Sequence, residues 1–241
     1  MSQGFFITGT DTGVGKTWVT CLLVERFRNA GIPALGLKPI ACGDRGDAEA
    51  LARINGECLT LNEINPLYFP APLAPYASSV LEERQANLTP VMETWSRLGQ
   101  AYTGPFLVEG AGGWLVPITR DYWIKDLAVD FGLPVLVVCR ASLGTLNHTL
   151  LTVESICCTG LTIKGLIMNH HDCPDDLASQ TNAAVLEDLT GLPVWSLQTG
   201  EKNRSLPRWI WAAMESNCDL SKHAAPIASQ RAATINPAPN D

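Results

Sequence analysis

The chain has 241 residues, enough for one sizeable α/β domain or two small ones. Hydrophobic residues make up 46% and charged residues 17%, so a large core can form and charge is used sparingly. A formal net charge of −7 excludes a broadly basic, sequence-independent nucleic-acid binder, which needs cationic side chains to release counterions.

In chain order, residues 4–8 read as a strand that ends at Gly9. Residues 17–29 read as a helix, with Val19, Leu22, Leu23 and Phe27 near helical spacing. Gly31, Ile32 and Pro33 stop it, and residues 34–38 form a second strand closed by Pro39. Residues 47–54 suit a short helix. Residues 65–76 hold Pro66, Pro70, Pro72 and Pro75 and read as an irregular loop. A helix follows at 88–102, then a strand at 105–109 and a glycine-rich turn, Gly110 to Gly113. The remainder alternates: helix 124–131, strand 134–139, helix 146–158, strand 161–168, helix 175–189 and strand 193–197.

Strands that are apolar throughout are buried on both faces, and their alternation with helices implies a parallel sheet. The expected fold is a three-layer α/β architecture, a mostly parallel sheet with helices on both faces. Residues 1–222 read as one domain. Residues 223–241, rich in Ala, Pro, Asn and Ser, read as a loosely attached tail. No apolar run approaches the ~18 residues of a membrane-spanning helix, and the first residues lack the pattern of a secretory signal. The eight cysteines include no CxxC pair, and Cys157 and Cys158 read as buried thiols. A reducing, cytoplasmic compartment is the expectation.

The segment with the most chemical content is Gly9-Thr10-Asp11-Thr12-Gly13-Val14-Gly15-Lys16-Thr17. It leaves a strand and opens a helix, as a phosphate-binding P-loop requires. Backbone N–H groups of such a loop and the helix N-terminus form an anion nest. Lys16 would reach the β- and γ-phosphates, and the Thr17 hydroxyl would hold Mg²⁺. Five residues separate Gly9 from Gly15, against four in the ordinary GxxxxGK[ST] pattern, so the loop is a variant. Glu109 ends a buried strand, where α/β sheets bind ligands and where a carboxylate can hold Mg²⁺. Lys38 ends another strand and could neutralise a transferring phosphoryl group. Asp47, by position alone, suits a helix N-cap. Asp11 suits an ordering role within the loop. His170, His171 and Cys173 lie close in sequence, but adjacent histidines do not readily converge on one metal ion.

Five segments together resemble the dethiobiotin synthetase family: FFITGTDTGVGKT, LGLKPIACG, VEGAGGWLVPI, LPVLVVCRASLGTLNH and GLIMNH, in that order between Phe5 and His170. The resemblance implies a cytoplasmic homodimer with a P-loop fold. It also implies a reaction: one amine of 7,8-diaminononanoate captures CO2 as a carbamate, the carbamate attacks ATP, and the second amine closes the ring and expels phosphate. By resemblance, Lys38, Lys16 and Thr12 are catalytic. Gly13, Val14, Gly15, Lys16, Thr17, Asp47, Glu109, Gly110, Ala111, Gly112, Asn169 and His170 contact the nucleotide or its Mg²⁺, with Thr17, Asp47 and Glu109 as metal positions and Asn169 reading adenine. Cys42, Gly112, Gly144, Thr145, Leu146 and Asn147 contact the substrate, the last four at a helix N-terminus that receives its carboxylate across the dimer interface.

There are departures from the family pattern. Cys42 stands where a serine is common, Gly13 replaces a frequent glutamate, and the loop from Gly43 to Asp47 is short. Gln198, Thr199 and Gly200 stand in place of a proline-containing adenine loop. Two other classes share this kind of phosphate loop. One is the partitioning-type ATPase, whose loop usually carries an additional early lysine that Thr10-Asp11-Thr12 lacks. The other is a nucleotide-binding regulatory module without catalysis.

Overall fold

Phe5, Phe6 and Ile7 are fully buried and alternate across β1 (Gly4–Gly9), so the strand has a layer packed on each face. The structure is a computed structural model that describes residues 3–198 and 206–215. The expected tail, the domain boundary at residue 222 and Thr199 and Gly200 lie outside the described residues. β1 sits within a six-stranded sheet with β2 (Leu35–Leu37), β5 (Phe106–Gly113), β6 (Val135–Arg140), β7 (Ile163–Asn169) and β8 (Val194–Leu197). The order is β2-β5-β1-β6-β7-β8, and every pairing is parallel.

On one face, Phe5, Ile7, Leu107, Leu136 and Ile167 pack with Val19, Leu23 and Phe27 of α1 (Lys16–Asn29) and Ile210 of α9 (Arg208–Glu215). On the other, Phe6, Val108, Val137 and Leu166 pack with α5 (Thr89–Ala101), α6 (Ile124–Phe131), α7 (Thr145–Cys157) and α8 (Leu177–Thr190). Trp95 stacks on Phe131 at 4.4 Å in that second layer. These are the three layers read from the sequence. No helix among the described residues is long and apolar enough to cross a membrane.

β2 is an edge strand, and its free side is covered by a side chain. Asn55, fully buried after α2 (Gly46–Ile54), accepts from the Gly36 N–H at 2.8 Å and donates to the Gly36 carbonyl at 2.9 Å. An amide thus takes the place of a neighbouring strand and closes the edge to other chains.

The proline-rich stretch is not simply a loop. β4 (Leu67–Phe69) pairs in parallel with β3 (Ile40–Cys42), after the short α3 (Leu61–Ile64) and before α4 (Pro75–Leu81). Strands of three residues carry no periodic signal, and their pairing is non-local. The expected turn at Gly110 to Gly113 is instead the end of β5. There β5 advances from Glu109 to Gly113 while β1 advances only from Ile7 to Gly9. Such a bulge re-aims side chains beside a site. Helix α9 was absent from the sequence reading, and Cys157 and Cys158 are exposed rather than buried.

Candidate active site

β1 delivers the chain into the phosphate loop, and α1 carries it away. Gly13 and Gly15 lie at φ 73° and 95°, a backbone that side chains disfavour. Gly15 N-caps α1 with no side-chain cap, which suits an anion at the helix N-terminus. A Cβ on Gly15 would lie 2.2 Å from Asn169 Nδ2. That amide donates to the Val14 carbonyl at 3.0 Å, and its Oδ1 accepts from the His171 N–H at 3.0 Å. Asn169 at the end of β7 therefore braces the phosphate loop. Asp11 orders the loop as expected, its Oδ1 accepting from the Thr12 N–H at 2.7 Å. Lys16 Nζ donates to the Asp11 carbonyl at 3.0 Å. Burial, and then the neighbouring Lys38, pushes the Lys16 pKa down to about 8.

Two acids and a lysine meet beside this loop. Glu109 is 1% exposed, and its Oε1 accepts from Thr17 Oγ1 at 2.9 Å and from Lys38 Nζ at 2.5 Å. Lys38 Nζ also donates to Asp47 Oδ2 at 2.8 Å and to the Gly110 carbonyl at 3.3 Å. Position alone suggests a solvated Lys38, but it is buried at 4% exposure. Burial by itself would lower its pKa; Glu109 and Asp47 outweigh that and raise it, so Lys38 is an ammonium. Burial would raise the Asp47 pKa, but Lys38 outweighs it and keeps Asp47 ionised to lower pH. Asp47 is not an N-cap. α2 starts at Gly46 with Arg45 at the cap, and the Asp47 carboxylate is spent on Lys38.

Glu109 Oε2 is buried with no hydrogen-bond partner. A carboxylate oxygen in that state calls for a counterpart. Together with the Thr17 hydroxyl and the half-exposed Asp47 it makes an all-oxygen set suited to a hard divalent cation. The residues present therefore fit Mg²⁺.

The remaining expected residues are placed around this centre. Thr12 is exposed, and its Oγ1 lies 3.4 Å from where a Gly112 Cβ would stand, so both line one wall, beside half-buried Ala111. Cys42 ends β3 half-buried; burial raises its thiol pKa, and a hydrogen bond with Ser78 of α4 opposes the rise. His170 donates its backbone N–H to the Leu197 carbonyl at 3.0 Å. Gly144, at φ 92°, caps α7; Thr145 is buried, Leu146 half-buried and Asn147 exposed. This helix leaves β6 at the same sheet edge. No hydrogen bond among the described residues ties Gly144, Thr145, Leu146 or Asn147 to the Lys38 cluster. Sequence reading missed Arg45, Asn55 and Asn65. Arg45 and Asn55 stand beside a glycine and Asn65 beside a proline, so all three look like ordinary turn residues, and nothing local marks them as buried connectors.

The AAA domain family profile matches residues 3–196. The chain is 44% identical over 222 residues to the ATP-dependent dethiobiotin synthetase BioD of Anaeromyxobacter dehalogenans, covering 88% of this chain and 99% of that protein. It is 41% identical over 192 residues to the enzyme of the same name from Akkermansia muciniphila, covering 80% and 90%. Among solved structures, a putative plasmid partition protein from Borrelia burgdorferi bound to AMPPNP matches with a TM-score of 0.53 at 12% identity, covering 97% of this chain and 99% of that one. Chloroplast FtsY from Physcomitrella patens matches at 0.51 and 18% identity, covering 90% of this chain and 66% of that one. At such identities these two show the fold alone. The curated relatives show more, because each is over 40% identical along most of both chains: the chain belongs to the ATP-dependent dethiobiotin synthetase family.

Proposed function

We propose that this chain converts 7,8-diaminononanoate, CO2 and ATP into dethiobiotin, ADP and phosphate. The observation that carries the reading is the Lys38 ammonium beside the phosphate loop, bonded to Glu109 and Asp47, and close enough to Lys16 that its charge adds to burial in lowering the Lys16 pKa. Two cations converge where negative charge must gather when a carbamate attacks a triphosphate.

The chemistry needs positioning and charge neutralisation rather than a covalent nucleophile. One substrate amine adds to CO2 and loses a proton, giving the carbamate. A carbamate oxygen attacks the γ-phosphorus, and the bond to the ADP oxygen breaks. The second amine then attacks the carbamoyl carbon, closes the cyclic urea and expels phosphate. Lys16 and the loop backbone hold the phosphates in line. Lys38 offsets charge on the carbamate and the phosphoryl oxygens, and Thr12 and Gly112 line the wall beside them. Bound Mg²⁺, held by Thr17, Asp47 and Glu109, would add positive charge at the phosphate oxygens. Cys42 would meet the carbamate with a weaker donor than a hydroxyl. Asn169 and His170 would contact the base. The α7 N-terminus, Gly144 to Asn147, would take the substrate carboxylate in a homodimer.

Incubating the protein with the diamine, bicarbonate and MgATP should release phosphate in step with dethiobiotin. Phosphate release indifferent to the diamine, with no urea formed, would overturn the reading in favour of an ATPase switch. Lys38→Met should lower kcat by about 100-fold or more, with the nucleotide dissociation constant changed by less than about threefold.

A further inference from the structure

Arg45 and Asn65 belong to neither the phosphate loop nor the acidic pair, yet they join the backbone under Lys38 to the backbone leading to Asp47. Asn65 is 1% exposed. Its Nδ2 donates to the Lys38 carbonyl at 2.9 Å and to the Leu67 carbonyl at 3.0 Å. Its Oδ1 accepts from Arg45 Nε at 3.0 Å. The same guanidinium donates from Nη2 to the Asn65 carbonyl at 2.8 Å and the Leu61 carbonyl at 3.1 Å, and from Nη1 to Asn62 Oδ1 at 3.1 Å. The Lys38 N–H donates to the Ile64 carbonyl at 3.0 Å. Both backbone polar groups of Lys38 are therefore held by the segment that Arg45 grips. Arg45 in turn caps the helix whose first turn carries Asp47.

The need for such a clamp follows from the topology. Lys38 lies just beyond a three-residue edge strand, and Asp47 sits on a different element, next to the first residue of α2. Neither position is set by the sheet ladder. A planar guanidinium presents its donors in a fixed fork, so one side chain can hold several groups of two elements at set angles.

We infer that Arg45 and Asn65 are positioning residues that hold the Lys38 ammonium and the Asp47 carboxylate in register for phosphoryl transfer. The inference rests on the proposed function, since it assigns that work to Lys38 and Asp47. Two variants separate the parts of the clamp. Asn65→Asp keeps an acceptor for Arg45 but loses the donor to the Lys38 carbonyl. Arg45→Met keeps the stem and removes every donor.

Each variant should fold cooperatively and bind metal-free ADP within about twofold of the wild type, because the phosphate loop is untouched. kcat should fall by about 10- to 100-fold, the scale of a misplacement near 1 Å, with the KM for ATP little changed. The Mn²⁺ dissociation constant of the ADP complex, read by electron paramagnetic resonance, should rise several-fold as Asp47 loses its aim. Adding Arg45→Met to Lys38→Met should cost less than the two separate losses combined, since part of the Arg45 effect acts through Lys38. Wild-type kcat and Mn²⁺ affinity in both folded variants, or an Arg45→Met loss that is fully additive with Lys38→Met, would overturn the clamp. If the wild type makes no dethiobiotin, the proposed function fails, and the Mn²⁺ measurement still decides whether Arg45 and Asn65 set the acid.

Discussion

Lys16 carries a charge that its surroundings disfavour. Its pKa drops from 10.5 to about 8 on folding, first through burial and then through Lys38. Between those values the unfolded chain binds more protons than the folded one. Stability therefore gains from this group as pH rises through that window, and below about pH 8 the buried ammonium is a standing cost. Triphosphate reverses the preference by favouring the charged form. Nucleotide binding should then be flat below about pH 8 and weaken by about tenfold per pH unit above it, with proton uptake approaching one near pH 9. Calorimetry in buffers of different ionisation enthalpy measures both quantities. An affinity that holds constant from pH 7 to 9.5 would show that Lys16 is not the phosphate ligand.

Among the elements, α9 tests how closely helices must approach the sheet. It docks where β7 carries Gly165: a Cβ there would fall 2.6 Å from the Trp209 ring and 2.9 Å from the Pro193 carbonyl. Trp211 of the same helix meets Phe27 of α1 edge-on at 5.2 Å. Gly165→Ala should therefore displace α9 and destabilise the protein by about 1–3 kcal/mol, the usual cost of overpacking, measured by urea unfolding. A cost near zero would mean that α9 shifts freely on its sheet. Part of the loss should return in a Trp209→Ala background, because the ring is one of the two obstacles. Sequence periodicity did not reveal this helix, and it is the glycine in the strand that records its approach.

At the scale of the molecule, the parallel sheet gathers the site at one edge. β1 lies between β5 and β6: the crossover from β1 runs past β5 to β2, and the crossover from β5 runs the other way past β1 to β6, so the order reverses beside the strand that feeds the phosphate loop. Lys16, Lys38 and Glu109 come from three neighbouring strands or their exits, and both core layers support them. ADP at 100 times its dissociation constant should raise unfolding stability by about 2.7 kcal/mol within one transition. A ligand effect confined to one of two separate transitions would show that the layers unfold independently.

The chain by itself determined the layered parallel fold, the phosphate loop and the candidate residues Lys16, Thr17, Lys38 and Glu109. Those signals are local: apolar runs, glycines at a strand-to-helix turn, charged residues at strand ends. The tertiary structure decided how these groups pair. It turned Asp47 from a cap into the partner of Lys38, made strands of residues 40–42 and 67–69, and recruited Asn55, Asn65 and Arg45 as connectors. Each of those outcomes depends on hydrogen bonds between residues distant in sequence, in a setting where a buried polar group must find a partner. Most of these bonds join residues 19 to 27 positions apart, beyond the span of a local sequence pattern.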